Sequence, residues 1–224
     1  MKKNSMEHYV YDHIKTAILS RKLAPGKQLV ENKISNTLQV SRTPIRNAIK
    51  KLSLEGLVDI IPNKGAFVTS PTKEEIIQAY ELRANLEFLA ASKAMDSMTE
   101  EDFTEIKKSI EEENKVLLNK NSEAYVKSNK SFHVAITEKC NNTFLNEFIV
   151  TLINRTNIYL LLYDEFFDNP EQQPYSPDEH TYILNLMEQK NEVELKIALE
   201  NHFKRAFKSL DIRYNEYKEV DEIF

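Results

Sequence analysis

The fold of the first third is decided by residues 41–68, SRTPIRNAIKKLSLEGLVDIIPNKGAFV. Ser41 is a good helix N-cap, and Pro44 is tolerated in the first turn, where no intrahelical N–H is needed. Apolar residues then recur at helical spacing to about Glu55, and Gly56 is a typical helix stop. The stretch therefore predicts a helix with an exposed basic N-terminus.

The pattern on either side of this helix completes a small domain. Two β-rich runs, 58–61 and 66–68, flank Pro62-Asn63-Lys64-Gly65 and predict a hairpin. Two further helices are predicted upstream, over about 6–20 and 31–38, the second separated from the third by a very short turn. Three helices followed by a hairpin are the order of a winged helix-turn-helix.

The chemistry of this segment suits DNA. The third helix of such a domain places its N-terminal residues against base edges and phosphates, and the hairpin forms the wing. Arginine offers a planar fork to guanine or phosphate, and hydroxyl groups at a helix N-terminus suit phosphate oxygens. The candidate DNA-binding residues are Ser41, Arg42, Thr43 and Arg46 on the helix, with Lys64 and Gly65 in the wing.

The charge of the chain is divided unevenly. The whole chain has 30 Lys and Arg against 35 Asp and Glu, a net charge of −5. Residues 1–70 hold 12 and 5 of these, a net of +7, and residues 71–224 hold 18 and 30, a net of −12. A basic first third and an acidic remainder predict two domains, 1–70 and 71–224, with different partners.

The rest of the composition excludes several classes of fold and of binding site. Three Gly leave little room for many-stranded folds, and a single cysteine, Cys140, excludes an intrachain disulfide and a multi-cysteine metal site. No apolar run approaches a membrane span, and the start lacks a signal-peptide core, so we expect a cytoplasmic protein with no membrane partner.

The second domain is predicted to be an all-helical bundle, which makes the fold mainly α. Thr72 and Thr99 each precede an acidic residue by three positions, a pattern typical of a capping box. The polar stretch Asp168–Pro177 is predicted as a loop. The predicted helices cover about 72–95, 99–118, 122–139, 143–165, 178–190 and 192–217.

Three histidines of the second domain face inward by helical spacing. His133, His180 and His202 each lie on or beside the apolar stripe of a different predicted helix. Buried imidazoles need polar partners, and a shared divalent metal is one way to supply them. The other interpretation is three separately satisfied core histidines, and spacing leaves both open.

The first domain resembles the DNA-binding domain of the GntR family of bacterial transcription regulators. The resemblance rests on 41–49, 55–58 and 62–68, with Leu23-Ala24-Pro25-Gly26 and Leu29-Val30-Glu31 upstream. It implies that the six candidate residues contact operator DNA. Two positions depart from the family pattern, because an often basic contact is Asn32 here and the wing residue before the glycine, usually Arg, is Lys64.

The second domain resembles the FCD ligand-binding domain of one GntR subclass. The matching pieces are Tyr80-Glu81-Leu82-Arg83 with Leu86-Glu87, Phe132-His133, Glu179-His180 with Ile183-Leu184, and His202. Many FCD domains bind a metal through an Asp and three His, which fall here on Asn129, His133, His180 and His202. Asn keeps a carbonyl oxygen and loses the charge, so we expect weaker binding and Zn²⁺ or Ni²⁺ rather than Mn²⁺.

The same resemblance implies a homodimer and a small-molecule effector. A carboxylate would restore the missing charge by filling an open position on the metal. Arg83, and more weakly Arg155, are expected to face this pocket and pair with an anionic ligand, although either could be a structural ion pair. The implied function is a regulator whose affinity for double-stranded operator DNA responds to a carboxylate.

Two alternatives are kept. The first is the same regulator with a metal-free pocket, in which the histidines act as hydrogen-bonding groups. The second is a metal-dependent hydrolase, because a His-ligated metal with open positions is also an enzyme's site. Against the hydrolase, the sequence shows no general base beside the three histidines, and the basic domain would have no role. The prediction is therefore that the chain is not an enzyme.

Overall fold

The structure, a computed structural model, describes residues 3–119, 121–163 and 176–210. Within these ranges the chain divides into two compact units, one ending at Pro71 and the other beginning at Thr72. Each unit buries its own set of apolar side chains. No helix of the described residues is long and apolar enough to cross a membrane.

The first unit combines three helices with a small antiparallel sheet. Helices α2 and α3 are joined by residues 39–41 and form the helix-turn-helix, and strands β2 and β3 form the wing, so the predicted winged helix-turn-helix is confirmed. The strand order is β1-β3-β2. The elements are α1 (Lys3–Leu19), β1 (Gln28–Leu29), α2 (Glu31–Leu38), α3 (Arg42–Leu54), β2 (Val58–Ile61) and β3 (Gly65–Val68).

Strand β1 is an element that the sequence pattern did not predict. Gln28 and Leu29 pair with Phe67 and Ala66 of β3. A strand of two residues shows no apolar alternation, so its presence depends on the pairing and not on the local sequence. It joins the turn before α2 to the wing.

Helix α3 is oriented by its apolar side. Ile45, Ala48 and Leu52 are fully buried, and the residues at its N-terminus are exposed. Ser41 has the extended backbone of an N-cap, as predicted, but its side chain makes no capping hydrogen bond. The helix therefore does not use the Ser41 hydroxyl.

The tip of the wing depends on left-handed backbone. Asn63 has φ 61° and Gly65 has φ 110°. A Cβ on Gly65 would lie 3.1 Å from the side-chain nitrogen of Gln28, whose Nε2 donates to the carbonyl of Lys64 at 2.9 Å. Glycine at this position thus permits both the backbone angle and the contact with β1.

The second unit is helical throughout its described residues. Both predicted capping boxes are present, with Glu75 completing the Thr72 cap and Asp102 completing the Thr99 cap. The elements are α4 (Lys73–Ala94), α5 (Glu100–Leu118), α6 (Ser122–Ala135), a short 3₁₀ helix (Glu138–Cys140), α7 (Thr143–Tyr163), α8 (Ser176–Glu188) and α9 (Glu192–Lys208).

Several helix ends differ from the predicted ones. Helix α6 ends at Ala135 and not at 139, because the backbone turns there and restarts as the 3₁₀ helix. Helix α9 ends at Lys208, and 211–217 of the longer predicted helix lie outside the described residues. The predicted loop 168–177 also lies outside them up to 175, and its last two residues belong to α8.

Candidate metal centre and nucleic-acid interface

Three histidines converge inside the second unit. His133 comes from α6, His180 from α8 and His202 from α9, and all three side chains are buried. One ligand atom from each lies within 4.8 Å of the others. The Nε2 atoms of His133 and His202 are 3.3 Å apart. The inward orientation that helical spacing predicted thus brings the three rings to one point.

The Nδ1 atom of each histidine lies against the carboxylate of a glutamate from another helix. The Nδ1 of His133 lies 2.6 Å from Glu87 of α4, and the Nδ1 of His180 lies 2.7 Å from Glu113 of α5. A carboxylate at Nδ1 accepts a hydrogen bond from the ring N–H at that position. The Nε2 atom then has its lone pair directed inward.

The third histidine repeats the arrangement within the α8–α9 pair. The Nδ1 of His202 lies 2.8 Å from Glu179, whose other oxygen accepts from Arg205 at 2.6 Å. With three Nε2 lone pairs facing each other, the centre offers a donor set suited to a cation.

The carboxylates are themselves anchored. Glu87 accepts from the Nε of Arg83 at 2.7 Å, and Glu113 accepts from the hydroxyl of Ser176 at 2.6 Å. Carboxylates that orient metal-binding histidines are usually hydrogen-bonded in turn, because this fixes the ring geometry. The arrangement is therefore organised over two layers of side chains.

The environment favours the neutral form of two of the imidazoles, those of His133 and His202. Burial, followed by the charge of Arg83, holds the pKa of His133 well below its ordinary value. Burial also lowers the pKa of His202, although Glu179 opposes the change. Neutral imidazole is the form that ligates metals.

The acids around the histidines respond in opposite directions. Burial raises the pKa of Glu87 against the effect of Arg83. Burial also acts to raise the pKa of Glu113, but His180 and Ser176 outweigh it and the pKa ends below its ordinary value. Glu113 is consequently a carboxylate that accepts from both of these neighbours.

Two buried polar atoms at this centre have no hydrogen-bond partner among the described residues. They are the Nε2 of His180 and the Nη2 of Arg83. A buried polar atom without a partner costs free energy, so such atoms mark places where a ligand or ion fits. The donor set and the unpartnered lone pair of His180 fit a divalent cation held by nitrogen ligands.

Arg83 lies beside the histidines, as expected. Its side chain is buried, its Nη1 donates to Thr156 at 2.6 Å, and its guanidinium lies 4.6 Å from the ring of Phe203. Phe203 in turn stacks on His133 at 5.4 Å. The protein thus engages Nε, Nη1 and one face of Arg83, whereas its Nη2 has no hydrogen-bond partner among the described residues.

Arg155 is not brought to this centre. It lies on α7 next to buried Thr156, but its own side chain is exposed. Successive helical residues point in different directions, and here the inward direction falls on Thr156 and not on Arg155. The expectation that Arg155 faces the pocket is corrected, and Thr156 takes the inward position as a partner of Arg83.

Asn129 is buried one turn before His133 on α6. Its Nδ2 lies 3.5 Å from the side-chain oxygen of Asn157 on α7. An amide can donate and accept, and Asn129 uses its nitrogen in this contact.

The predicted DNA-binding residues form an exposed basic surface on the first unit. Ser41, Arg42, Thr43 and Arg46 are exposed at the start of α3, and Lys64 and Gly65 are exposed at the tip of the wing. The structure therefore places the helix set together at one helix end and the wing pair together in one turn.

Comparison with known proteins agrees with this two-unit architecture. The family "Bacterial regulatory proteins, gntR family" matches residues 7–68, and the FCD domain matches residues 78–205, more than half of the chain. The chain belongs to the GntR family. Its second unit is the FCD domain of that family of transcription regulators.

Relatives of this GntR-family chain are named as regulators. It is 29% identical to the uncharacterized HTH-type transcriptional regulator YdhC of Bacillus subtilis over 62% of each chain. It is 25% identical to the HTH-type transcriptional repressor RspR of Escherichia coli over 58% of this chain and 57% of that protein. The matched part thus spans about three fifths of these relatives' own length.

A solved structure shares the fold of this GntR-family chain. Lar, described as controlling the expression of the Listeria monocytogenes agr system, superposes with a TM-score of 0.67 at 20% identity. The match covers 91% of this chain and 95% of that one.

The three glutamates behind the histidines of the FCD domain were missed by reasoning from sequence. Glu87 lies four residues after Arg83, and Glu179 directly precedes His180, so both stood beside residues already singled out. Glu113 lies in an acidic run, a pattern that is more typical of an exposed helix face. The available signal was helical spacing, because Glu113 follows Ile106 and Ile110 on the same, otherwise apolar face of α5.

Proposed function

We propose that this chain is a transcription regulator that binds operator DNA through its first unit. The observation that supports this is the exposed set Arg42, Thr43 and Arg46 at the N-terminus of α3, in a unit of net charge +7. Lys64 and Gly65 in the wing supply a second contact to the backbone or the adjacent groove. Because the proposed partner is DNA, we place the protein in the cytoplasm. We also propose that it represses transcription, as the name of its relative RspR says of that protein.

DNA binding is tested with duplexes that the wild-type protein enriches from a random library. Binding should weaken by about 100-fold or more between about 50 and 200 mM salt, because phosphate contacts release counterions. The same duplex with scrambled sequence serves as the control for specificity. Failure to enrich any duplex, or binding that is insensitive to salt, would refute this part of the proposal.

We further propose that His133, His180 and His202 hold a divalent metal, Zn²⁺ or Ni²⁺. Asn129 is proposed as a weaker fourth ligand through its carbonyl oxygen. Such a metal would act as a Lewis acid that binds an anionic group at an open position. The support is the convergence of three buried imidazoles, each oriented at Nδ1 by a glutamate.

The effector is proposed to be a carboxylate that pairs with the unpartnered Nη2 of Arg83. Besides the histidines, the buried neighbourhood holds the Arg83–Glu87 pair and the acid Glu113, and a divalent cation would add positive charge. An anion near Arg83 would balance that charge and satisfy the guanidinium. Effector binding would then change operator affinity by favouring one of two conformational states.

A homodimer is proposed through the α4–α7 side of the FCD domain. Phe144 and Phe148 are exposed one turn apart on α7, and Leu82 and Leu89 are exposed two turns apart on α4. These two helices pack together through the core cluster that includes Ala90 and Ile149. Exposed large apolar residues on neighbouring helices are typical of an interface.

The dimer is tested by light scattering after size exclusion. Phe148→Glu should shift the protein toward monomer and weaken operator binding, because two half-sites can no longer be bound together. Tyr182→Glu, a similar change at an exposed aromatic residue of α8, should leave the dimer intact. A monomeric wild-type protein would contradict the proposal.

A metal-free pocket is the second candidate, and one distance favours it. The 3.3 Å between the Nε2 atoms of His133 and His202 is within hydrogen-bond range if one ring carries a proton at Nε2. That ring would then be doubly protonated, or the glutamate at its Nδ1 would hold the other proton. Elemental analysis of protein purified without chelator separates the two. About one equivalent of Zn or Ni per chain, lost in a His180→Ala variant that keeps its fold, supports the metal. Wild-type protein without metal that still binds effector supports the second candidate.

A further inference from the structure

The acid that begins α2 contacts the basic surface of α3. The carboxylate of Glu31 accepts from the Nε of Arg46, with 2.8 Å to Oε2 and 3.0 Å to Oε1. Glu31 is the first residue of α2, and Arg46 lies in the second turn of α3. The pair therefore connects the two helices of the helix-turn-helix.

The geometry of this pair leaves the reading edge of Arg46 open. Both contacts to Glu31 use the single Nε–H, so this carboxylate does not occupy Nη1 or Nη2. Those two groups are the fork that reaches guanine O6 and N7 or two phosphate oxygens. An arginine held at Nε loses fewer side-chain conformations on binding, because its stem is already fixed.

We propose that Glu31 is a positioning residue for sequence recognition by Arg46. The inference rests on the proposed DNA interface and goes beyond it, since it assigns an acidic residue a favourable role beside a polyanion. A carboxylate next to DNA repels phosphates, so simple electrostatics expects its removal to strengthen binding. Positioning expects removal to weaken binding to the selected sequence only.

The two explanations predict opposite changes in affinity for the selected duplex when Glu31 is removed, so the experiment separates them. Using the full chain, Glu31→Ala should weaken binding to the library-selected duplex by about tenfold. Binding to the scrambled duplex should stay equal or become tighter. Glu31→Gln keeps an acceptor for the Arg46 Nε–H and should recover part of the loss. Asp12→Asn removes one exposed acidic charge from α1 of the same unit and is the control for net charge.

A double-mutant cycle assigns the effect to the pair. In an Arg46→Ala background, Glu31→Ala should change affinity for the selected duplex by less than about twofold. Thermal melting of each variant checks that α2 and α3 stay folded. The proposal is overturned if Glu31→Ala tightens binding to both duplexes alike, or if its effect persists without Arg46. Absence of any selected duplex for the wild type would instead refute the DNA-binding proposal itself.

Discussion

The two units of this chain place their charged residues in opposite ways. In the winged unit the charged side chains singled out for function, Arg42, Arg46 and Lys64, are exposed, and the interior is apolar. In the FCD domain the corresponding residues are buried, as Arg83, Glu87 and Glu113 are, together with three histidines. A surface of exposed cations suits a large polyanion, whereas a buried polar centre suits an ion and a small ligand.

The difference carries an energetic lesson. An exposed arginine keeps its water until DNA replaces it, so the winged unit has little desolvation cost before binding. The FCD domain removes several charged groups from water on folding, and it offsets the cost by pairing almost every one of them. Among the described residues, the unpartnered atoms on Arg83 and His180 are therefore informative in a way that exposed atoms of the first unit are not.

The largest expected effect comes from removing the exposed cations. The variant Arg42→Ala with Arg46→Ala should weaken binding to the selected duplex by roughly 100-fold or more, since each lost base or phosphate contact costs about 1–3 kcal/mol. Its metal content should match that of the wild type. Arg155→Ala, an exposed arginine of the FCD domain, is the control and should bind DNA normally. Equal losses in both variants would mean that net charge and not position decides.

The next effect should come from the buried layer behind the histidines. Glu113→Gln should lower metal affinity by about 10- to 100-fold, because the amide orients His180 less well than the carboxylate does. Competition with a metal-binding dye measures the change. The control is Glu112→Gln, which alters an exposed acid paired with Lys115 on the same helix. Unchanged affinity in Glu113→Gln would show that the second layer is not needed.

The two units also differ in how well they could be predicted from the sequence. The winged unit was predicted closely, because its signals are contiguous: a cap, a proline, a glycine stop and a hairpin within residues 41–68. Strand β1 was not predicted, because two residues are too few to show an alternating apolar pattern. Each proposed DNA-binding residue lies at the start of α3 or in the turn of the wing, so local sequence patterns sufficed to place it.

The histidine cluster could be predicted only in part from such local patterns. Helical spacing turned His133, His180 and His202 inward, but their convergence depends on how α6, α8 and α9 pack. Glu113 and Thr156 touch residues more than sixty positions away in sequence, and no local pattern reports such a contact. The assignment of Arg155 failed because resemblance placed it near the pocket while the helix phase turns it outward.

A smaller effect tests the wing. Gly65→Ala places a Cβ at φ 110° and 3.1 Å from Gln28, which should cost roughly 1–2 kcal/mol of stability in the winged unit. Calorimetry should show a lower melting temperature together with weaker operator binding, and unchanged metal content. Thr37→Ala, an exposed-side change on α2 of the same unit, is the control. A normal melting temperature with weak DNA binding would make Gly65 a pure contact residue.

The smallest effect concerns Asp102, a partly exposed acid that contributes to the stability of the fold. Hydrogen bonds from the Lys139 side chain, and then from Thr99, lower the pKa of Asp102 from 3.8 to about 2. A depressed pKa means that the stabilisation is complete well above pH 4 and is lost as the pH falls from about 4 to about 2. Asp102→Asn should therefore melt below the wild type at neutral pH, and the gap should close over that acid range.

The control for this variant is Asp96→Asn, since Asp96 also pairs with a lysine, Lys190, but completes no capping box. Its difference in melting temperature from the wild type should be smaller at neutral pH, because only one ion pair between exposed groups is lost. Operator binding at neutral pH should be unaffected in both variants, because neither residue belongs to the winged unit. A gap for Asp102→Asn that is independent of pH would mean that the carboxylate charge contributes nothing, and that the side chain acts by its shape alone.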